Sequence, residues 1–215
     1  MKKALKIIIE VVIRLYTKVY NYDKSSKRRR FLNMLYSLWI KPSFSECGTN
    51  LMIEKPAFLL GGKYMKIGGN FFSNSRLRIE CWDKLEEYAY SPNLSIGNNV
   101  SFNYNCHIAC INEITIGNNV LFASNIFVTD HFHGDNQDIR DKVPPAQRKL
   151  YSKGPVIIED NVWIGENVVI MPNVTIGANS VIGANAVVTK SFPGNSIIAG
   201  VPAKIVNVVG SRENE

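Results

Sequence analysis

The stretch 156-VIIEDNVWIGENVVIMPNVTIGANSVIGANAVV-188 decides the fold, because aliphatic residues recur in it at every sixth position. The first column is Ile158, Ile164, Ile170, Ile176, Ile182 and Val188, and the second, two residues earlier, is Val156, Val162, Val168, Val174, Ser180 and Ala186. A period of six fits neither a helix nor an alternating strand. It is typical of a hexapeptide solenoid, in which each unit is a short strand plus a turn and three units close a triangular coil. Residues two apart on a strand share a face, so both columns are predicted to point inward.

The predicted corners between these strands are rich in small and amide residues. They contain Gly165, Gly177, Gly183, Asn161, Asn167, Asn173 and Asn179. Both residue types tolerate the left-handed backbone of tight turns, which supports the assignment of corners.

The net charge of +7 is concentrated at the N-terminus. Residues 1–41 contain 11 Lys or Arg against Glu10 and Asp23, a local net charge of +9, and the remainder has 14 basic against 16 acidic residues, or −2. This distribution predicts that the N-terminal segment faces an anionic surface, with membrane phospholipid ahead of nucleic acid. A nucleic-acid partner is therefore not expected.

Cysteine usage and hydropathy bear on the compartment. The four cysteines form no CxxC pair. Cys106 and Cys110 are spaced like some zinc ligands but lack a companion pair, so reduced thiols in small core positions of a cytosolic protein are expected. No run of 18 apolar residues and no cleavable signal is found. The predicted location is cytoplasmic, with peripheral contact at the inner membrane as an open alternative.

Residues 1–45 are predicted to form a basic helical hairpin. In the first helix, over residues 2–20, every fourth residue is polar and a broad apolar face remains. A charged break over 21–30 precedes a second helix, whose apolar stripe begins at Phe31 and which stops before Pro42. Two roles stay open and are compatible: capping the open end of the solenoid and interfacial contact with a membrane.

Residues 46–207 are predicted to form the solenoid domain, followed by a tail over 208–215. An insertion is expected over 74–94, where the period breaks. About 24 residues leave the coil between Val128 and Ile158, giving one long, structureless excursion over 131–154. An excursion of that length from a rigid scaffold is more often functional than idle.

Strand alternation and loop position select the candidate site residues. Trp163 stands between two inward residues and must point outward, where a subunit or a ligand would cover it. His131 lies at the mouth of the excursion, a typical place for a catalytic side chain, with a polar loop residue as the alternative. His133 is a weaker candidate, and His107 is expected at the surface or an interface.

Four motifs together resemble the hexapeptide-repeat acetyltransferases, a left-handed β-helix family. They are 129-TDHFHG-134, 162-VWIG-165, 188-VTK-190 and 200-GVPAK-204. The resemblance covers roughly residues 50–207 and is greatest to the lipopolysaccharide and capsule O-acetyltransferase branch. It implies a mainly β, left-handed parallel β-helix, a homotrimer with active sites between subunits, and acetyl-CoA as cosubstrate without a metal.

The resemblance also implies roles for individual residues. His131 corresponds to the catalytic histidine, and Asn103 to an asparagine that lines the acceptor site from the adjacent subunit. The residues expected to contact the cofactor are Trp163, Gly165, Ala184, Thr189, Lys190 and Lys204. Two departures from the family pattern are the longer loop after His131, which prevents transfer of the acceptor, and Glu166, which replaces a small polar residue.

The chemistry requires few groups. A thioester is already activated, so a neutral imidazole that deprotonates a sugar hydroxyl suffices, with backbone N–H groups stabilising the oxyanion. The leading interpretation is therefore O-acetylation of a sugar hydroxyl in a cell-surface polysaccharide or its precursor. The alternatives are acetylation of an amino sugar nucleotide or an antibiotic, a non-catalytic hexapeptide scaffold, and a zinc-dependent hydratase on the same prism.

Overall fold

A left-handed parallel β-helix of three sheets forms the body of the molecule. The structure is a computed structural model and describes residues 2–208 of the chain. Each coil contributes one strand to each of sheets I, II and III in turn, as the six-residue period predicts.

The strands are short and stack in parallel from coil to coil. Sheet I contains β1 (Glu46–Cys47), β4 (Met65–Ile67), β9 (Asn93–Ile96), β12 (Glu113–Ile116), β17 (Val156–Ile158) and β20 (Val174–Ile176). Sheet II contains β2 (Met52–Ile53), β5 (Phe72–Ser73), β10 (Ser101–Phe102), β13 (Leu121–Phe122), β18 (Trp163–Ile164), β21 (Val181–Ile182), β23 (Ser196–Ala199) and the antiparallel edge strand β24 (Lys204–Val208). Sheet III contains β3 (Phe58–Leu60), β6 (Arg78–Cys81), β11 (His107–Cys110), β14 (Phe127–Thr129), β19 (Val169–Ile170) and β22 (Val187–Val188).

The two sequence columns form the core as predicted. Every member of both columns between Val156 and Val188 is buried, with at most 1% of its surface exposed. The same ladder continues toward the N-terminus through Phe122 and Phe102, whose rings stack at 4.1 Å between centroids. Burial of these aliphatic and aromatic columns is the main source of stability for the prism.

The corners correct one expectation from the sequence. The left-handed backbone is adopted by the asparagines, with φ from 58° to 62° at Asn161, Asn167, Asn173 and Asn179, and positive φ is not found at Gly165, Gly177 or Gly183. Glycine is needed instead for close approach: a Cβ on Gly177 would lie 2.1 Å from the Gly194 nitrogen.

One corner carries a continuous ladder of asparagine side chains. Each amide donates to the next from Asn50 through Asn70, Asn99, Asn119, Asn161 and Asn179 to Asn195, at 2.8–3.3 Å. Successive rungs are 20, 29, 20, 42, 18 and 16 residues apart in sequence. An uninterrupted coil of three hexapeptides gives a spacing of 18 residues between rungs, so spacings above 18 mark the coils that contain insertions.

The first insertion is smaller than the predicted 74–94. Residues 78–81 form β6, a regular member of sheet III, paired with β3 and β11. Only the segment after Cys81 leaves the prism, as a hairpin of β7 (Lys84–Leu85) and β8 (Tyr88–Ala89). The prediction was too wide because Leu77 and Ile79 keep the inward pattern while their outward neighbours are charged.

The excursion leaves the prism where the sequence predicts, since rungs Asn119 and Asn161 are 42 residues apart instead of 18. It is not structureless. β15 (Phe132–His133) pairs with β16 (Leu150–Tyr151), and between them lie α3 (Asn136–Arg140) and a 3-10 turn (Pro145–Gln147). The Leu150 N–H donates to the Tyr90 hydroxyl at 2.9 Å, so the excursion rests on the first insertion.

The N-terminal segment forms two helices, α1 (Lys2–Val19) and α2 (Tyr22–Ile40). The predicted charged break is wrong. Asn21 caps α2 by accepting from the Lys24 N–H at 3.0 Å, so the basic run lies inside the helix.

Capping of the solenoid is confirmed for α2, through an unexpected face. Asn33, Ser37 and Ile40 are its buried residues, and Ser37 Oγ accepts from the Ile53 N–H at the edge of the first coil at 2.8 Å. The predicted apolar stripe faces outward, with Trp39 76% exposed. A polar face contacts the prism because the edge strand offers unpaired backbone groups.

The ends of the described chain complete the fold. β24 returns antiparallel to β23, a pairing the sequence did not predict, and the tail predicted for 208–215 lies outside the described residues from 209 onward. None of the helices within residues 2–208 combines the length and the hydropathy that a membrane span requires.

Candidate active site

A buried carboxylate holds an imidazole where the excursion leaves sheet III. His131 Nδ1 lies 2.8 Å from Asp130 Oδ1, and the His131 side chain is 9% exposed. A carboxylate only accepts hydrogen bonds, so Nδ1 carries the proton and Nε2 remains as the basic nitrogen. This tautomer is the one that a general base requires.

Backbone N–H groups hold the Asp130 carboxylate in place. It is fully buried and accepts from the Ile111 N–H at 3.0 Å and the Asn112 N–H at 2.8 Å, both on the neighbouring coil. Thr129 Oγ1 accepts from the His131 N–H at 3.2 Å and donates to the His131 carbonyl at 3.1 Å. The turn therefore sets the direction of the imidazole before any substrate arrives.

Asn103 and His131 lie at opposite ends of sheet III. Asn103 precedes β11 at the corner between sheets II and III, and His131 follows β14 at the corner between sheets III and I. β11 alone spans about 13 Å, so one chain keeps the two side chains apart. Asn103 Oδ1 accepts from Asn74 Nδ2 at 3.0 Å, which leaves the Asn103 amide NH₂ as a donor.

Four of the six predicted cofactor residues lie together on sheet II and its trailing corner. Trp163 points outward with 53% of its surface exposed, between Leu121 and Val181 in register. Gly165 and Ala184 follow on adjacent coils, and a Cβ on Gly165 would lie 2.7 Å from the Ala184 nitrogen. Lys204 is exposed at the start of β24. An indole, a bare backbone and an ammonium suit the arm and phosphates of a CoA thioester.

Thr189 and Lys190 are separate from that group. Both are exposed and follow β22 at the corner between sheets III and I, which is also the corner that holds His131. Coils stack about 4.8 Å apart, so these residues lie two steps, or about 10 Å, along the prism from His131.

Comparison with known proteins identifies the family. Residues 155–190 match the model of bacterial transferase hexapeptide repeats. The chain is 38% identical over 159 residues to WbbJ of Escherichia coli (strain K12), to which a role as lipopolysaccharide biosynthesis O-acetyl transferase is ascribed, covering 72% of this chain and 77% of that one. It is 40% identical over 174 residues to the galactoside O-acetyltransferase of the same organism, covering 81% and 68%.

The chain belongs to the hexapeptide-repeat acetyltransferases. It is an acetyl-CoA-dependent acetyltransferase. A solved galactoside acetyltransferase in complex with coenzyme A has a TM-score of 0.53 to this acetyltransferase, with 31% identity over 80% of this chain and 69% of the other. AntD, an N-acyltransferase from Bacillus cereus, has a TM-score of 0.66 at 21% identity, over 80% and 88%, and this likeness shows the fold alone.

A second ionic cluster in this acetyltransferase was not found from the sequence. His107, expected at the surface or an interface, is half-buried on sheet III with Nε2 2.9 Å from Glu80 Oε2. Arg78 Nε reaches the same oxygen at 2.8 Å. Burial lowers the pKa of His107, and the hydrogen bond to Glu80 partly opposes this. The register of β6 with β11 could have suggested the cluster, because Arg78 and His107 are outward neighbours.

The cysteines are free, as predicted, and Cys81, Cys106 and Cys110 are buried. Burial raises the pKa of Cys106 to about 11, and the hydrogen bond with Cys81, with burial, raises that of Cys110. Thiols held in this form are inert as nucleophiles. In the described part of the chain, no group of three His, Cys, Asp or Glu side chains is arranged for a metal ion.

Proposed function

We propose that this enzyme transfers the acetyl group of acetyl-CoA to a sugar hydroxyl of a cell-surface polysaccharide, such as lipopolysaccharide, or of its precursor. The observation that carries the proposal is the Asp130–His131 pair at the mouth of the excursion, with Nε2 as its basic nitrogen. The identity to WbbJ supports the class of acceptor. The reduced, buried thiols support a cytoplasmic location, where acceptor precursors are assembled.

The proposed mechanism uses His131 twice. Nε2 removes the proton of the acceptor hydroxyl while its oxygen attacks the thioester carbonyl carbon. Donors, among them the Asn103 amide, stabilise the tetrahedral oxyanion. When the intermediate collapses, the carbon–sulfur bond breaks and His131 returns the proton to the departing CoA thiolate. Asp130 stabilises the imidazolium between these two transfers, as the carboxylate of a Ser-His-Asp triad does.

We infer a homotrimer in which each site is shared by two subunits. Asn103 and His131 are at opposite ends of sheet III in one chain, so they meet only if a neighbour presents its corner. A cyclic trimer has heterologous interfaces, which bring two different surfaces together three times. On the cofactor side, Trp163, Gly165, Ala184 and Lys204 are proposed to hold the CoA arm, with Thr189 and Lys190 at the His131 corner.

The first test is transfer to a polysaccharide acceptor by His131→Ala. Loss of the general base should lower kcat by about 10² or more while the fold and CoA binding persist. His133→Ala is the matched control, because His133 is an exposed histidine on the same loop and should retain most of the activity. Equal activity of His131→Ala and the parent protein would overturn the assignment.

The second test mixes inactive subunits. His131→Ala and Asn103→Ala chains, unfolded and refolded together, should regain about a quarter of the parent activity if each site takes one residue from each of two subunits. No regain, with trimers formed, would place the whole site within one chain.

The acceptor is tested with a panel of hydroxyl sugars, polysaccharide, amino sugar nucleotides and aminoglycosides, with free CoA as the common readout. The proposal predicts the highest kcat/KM for a hydroxyl acceptor. A clear preference for an amine would favour the alternative of N-acetylation.

A further inference from the structure

The helix α1 presents a whole apolar face that nothing in the described chain covers. All 18 of its residues are exposed and none is buried. On a helix with about 100° per residue, the apolar residues share one side of about 160°. Six large apolar side chains on this side are between 48% and 71% exposed: Leu5, Ile8, Ile9, Val12, Tyr16 and Val19. A contiguous apolar surface of this size marks an interaction site.

The opposite side of α1 is cationic. Lys2, Lys3, Lys6, Arg14 and Lys18 lie on it with a single acid, Glu10. Glu10 forms an ion pair with Lys6, at 3.9 Å across two well-exposed side chains, and such a pair contributes little. The polar side therefore keeps its positive charge.

The exposed side of α2 continues the same pattern. Lys24, Lys27 and Arg28 lie on the side that carries Phe31 and Leu38, away from the residues that contact the prism. Phe31 is 55% and Leu38 is 59% exposed. Both helices thus present exposed apolar side chains together with cations.

We propose that α1, assisted by the outward side of α2, docks this acetyltransferase on an anionic lipid bilayer. An amphipathic helix with a Lys- and Arg-rich polar side lies in the plane of the interface, its apolar side among the acyl chains and its cations at the headgroups. A second copy of the chain fits less well, because packing two apolar sides together brings two cationic segments of net +9 over residues 1–41 into proximity. An anionic bilayer both covers the apolar side of α1 and neutralises the positive charge of the segment.

Docking also fixes the orientation of the prism. α2 contacts the first coil, so the bilayer lies at that end of the solenoid. His131 follows the fourth strand of sheet III counted from that end, about 14 Å further along at 4.8 Å per coil. The docking does not depend on the acetyl-transfer proposal, and a lipid-anchored acceptor would be held near the site if both are correct.

The experiment is flotation of the full-length protein with vesicles of phosphatidylcholine alone or with one third phosphatidylglycerol. We expect at least tenfold more protein on the anionic vesicles at low salt, with a loss of binding as salt rises. The test variant is Ile8→Glu/Val12→Glu on the apolar side. The matched control is Ile7→Glu/Ile13→Glu, the same change of charge and nearly the same loss of apolar surface at positions bordering the polar side.

The apolar-side variant should lose binding by tenfold or more, and the control should retain most of it. Thermal unfolding and acetyl transfer to a soluble acceptor, measured on both variants, check that the prism is intact. Equal flotation of the two variants, or equal binding to neutral and anionic vesicles, would overturn the proposal. So would a fall in oligomer mass for the apolar-side variant with unchanged lipid binding, since the face would then cover another copy.

Discussion

The coils over 156–188 and the excursion over 131–154 are adjacent in sequence but differ in how they are built. In the coils, both columns are buried to within 1% and the corners repeat at 18 residues. In the excursion, Leu150 is the large apolar side chain that is buried, at 5%, while Ile139 is 60% exposed. Stability therefore resides in the coils. The Asp130–His131 pair lies at the junction, where backbone N–H groups of the coils hold Asp130 and the excursion begins at His131.

The largest expected effect is a loss of stability on substitution within the coils. Ile170→Ala removes three carbons from a fully buried position and should lower the free energy of unfolding by about 2–5 kcal/mol. Ile139→Ala makes the same type of change in the excursion and should cost no more than about 0.5 kcal/mol. Urea unfolding at a fixed protein concentration measures both. Similar losses for the two variants would show that the excursion carries part of the core.

The next effect concerns the junction. Asp130→Asn should lower kcat by about tenfold to a hundredfold with little change in KM for acetyl-CoA, because Nδ1 of His131 loses the acceptor that fixes its tautomer. Asp135→Asn is the matched control, a carboxylate of the excursion that caps α3. If Asp130→Asn raises KM and spares kcat, Asp130 serves binding and does not position His131.

A smaller effect tests how the excursion is attached. Tyr90→Phe removes the hydroxyl that accepts from the Leu150 N–H, worth about 1 kcal/mol. Amide exchange in 131–154 should become several-fold faster, while 156–188 keeps its protection. Tyr88→Phe is the control, since it keeps the ring that Lys149 Nζ approaches at 5.7 Å. Unchanged exchange in Tyr90→Phe would mean that other contacts hold the excursion.

The smallest effect is a pH dependence of stability. Burial lowers the pKa of His107 in the folded state, so the unfolded chain binds the proton first as pH falls through about 6.5. Stability is therefore present above that pH and is lost below it. In His107→Gln, the decrease of Tm between pH 7.5 and pH 5.5 should be smaller than in the parent by about 1–2 °C. A larger decrease of Tm in His107→Gln than in the parent protein would contradict a lowered pKa of His107 in the folded state.

Much of the fold follows from the sequence, because the period of six is a direct record of which side chains face inward. The column from Ile158 to Val188, the outward Trp163 and the departure of the chain after Thr129 all follow from this record. The predicted boundaries are wrong where charged residues interrupt the apolar period. The predicted insertion over 74–94 includes Arg76 and Arg78, which interrupt the apolar pattern, although Arg78 is an outward residue of a regular strand.

The site was only partly accessible from the sequence. His131 is indicated by its position after a strand, but its pairing with Asp130 depends on a turn that folds two adjacent side chains toward each other, held by Ile111 and Asn112 from another coil. The side of α2 that contacts the prism could not be predicted for a similar reason. Helical periodicity identifies an apolar stripe, whereas the edge strand at Ile53 needed the hydroxyl of Ser37.

The asparagine ladder has a consequence for the evolution of specificity. Its rungs connect in the same way whether they are 16, 18, 20, 29 or 42 positions apart in sequence, so a corner accepts a new segment without altering the coils on either side. Grafting a different stretch between Gly134 and Lys149 would exchange the surface around the imidazole while leaving unchanged the side of the prism that we propose to bind acetyl-CoA. During evolution, the segment that faces the acceptor can therefore be replaced while the coils and the residues that we propose for catalysis are kept.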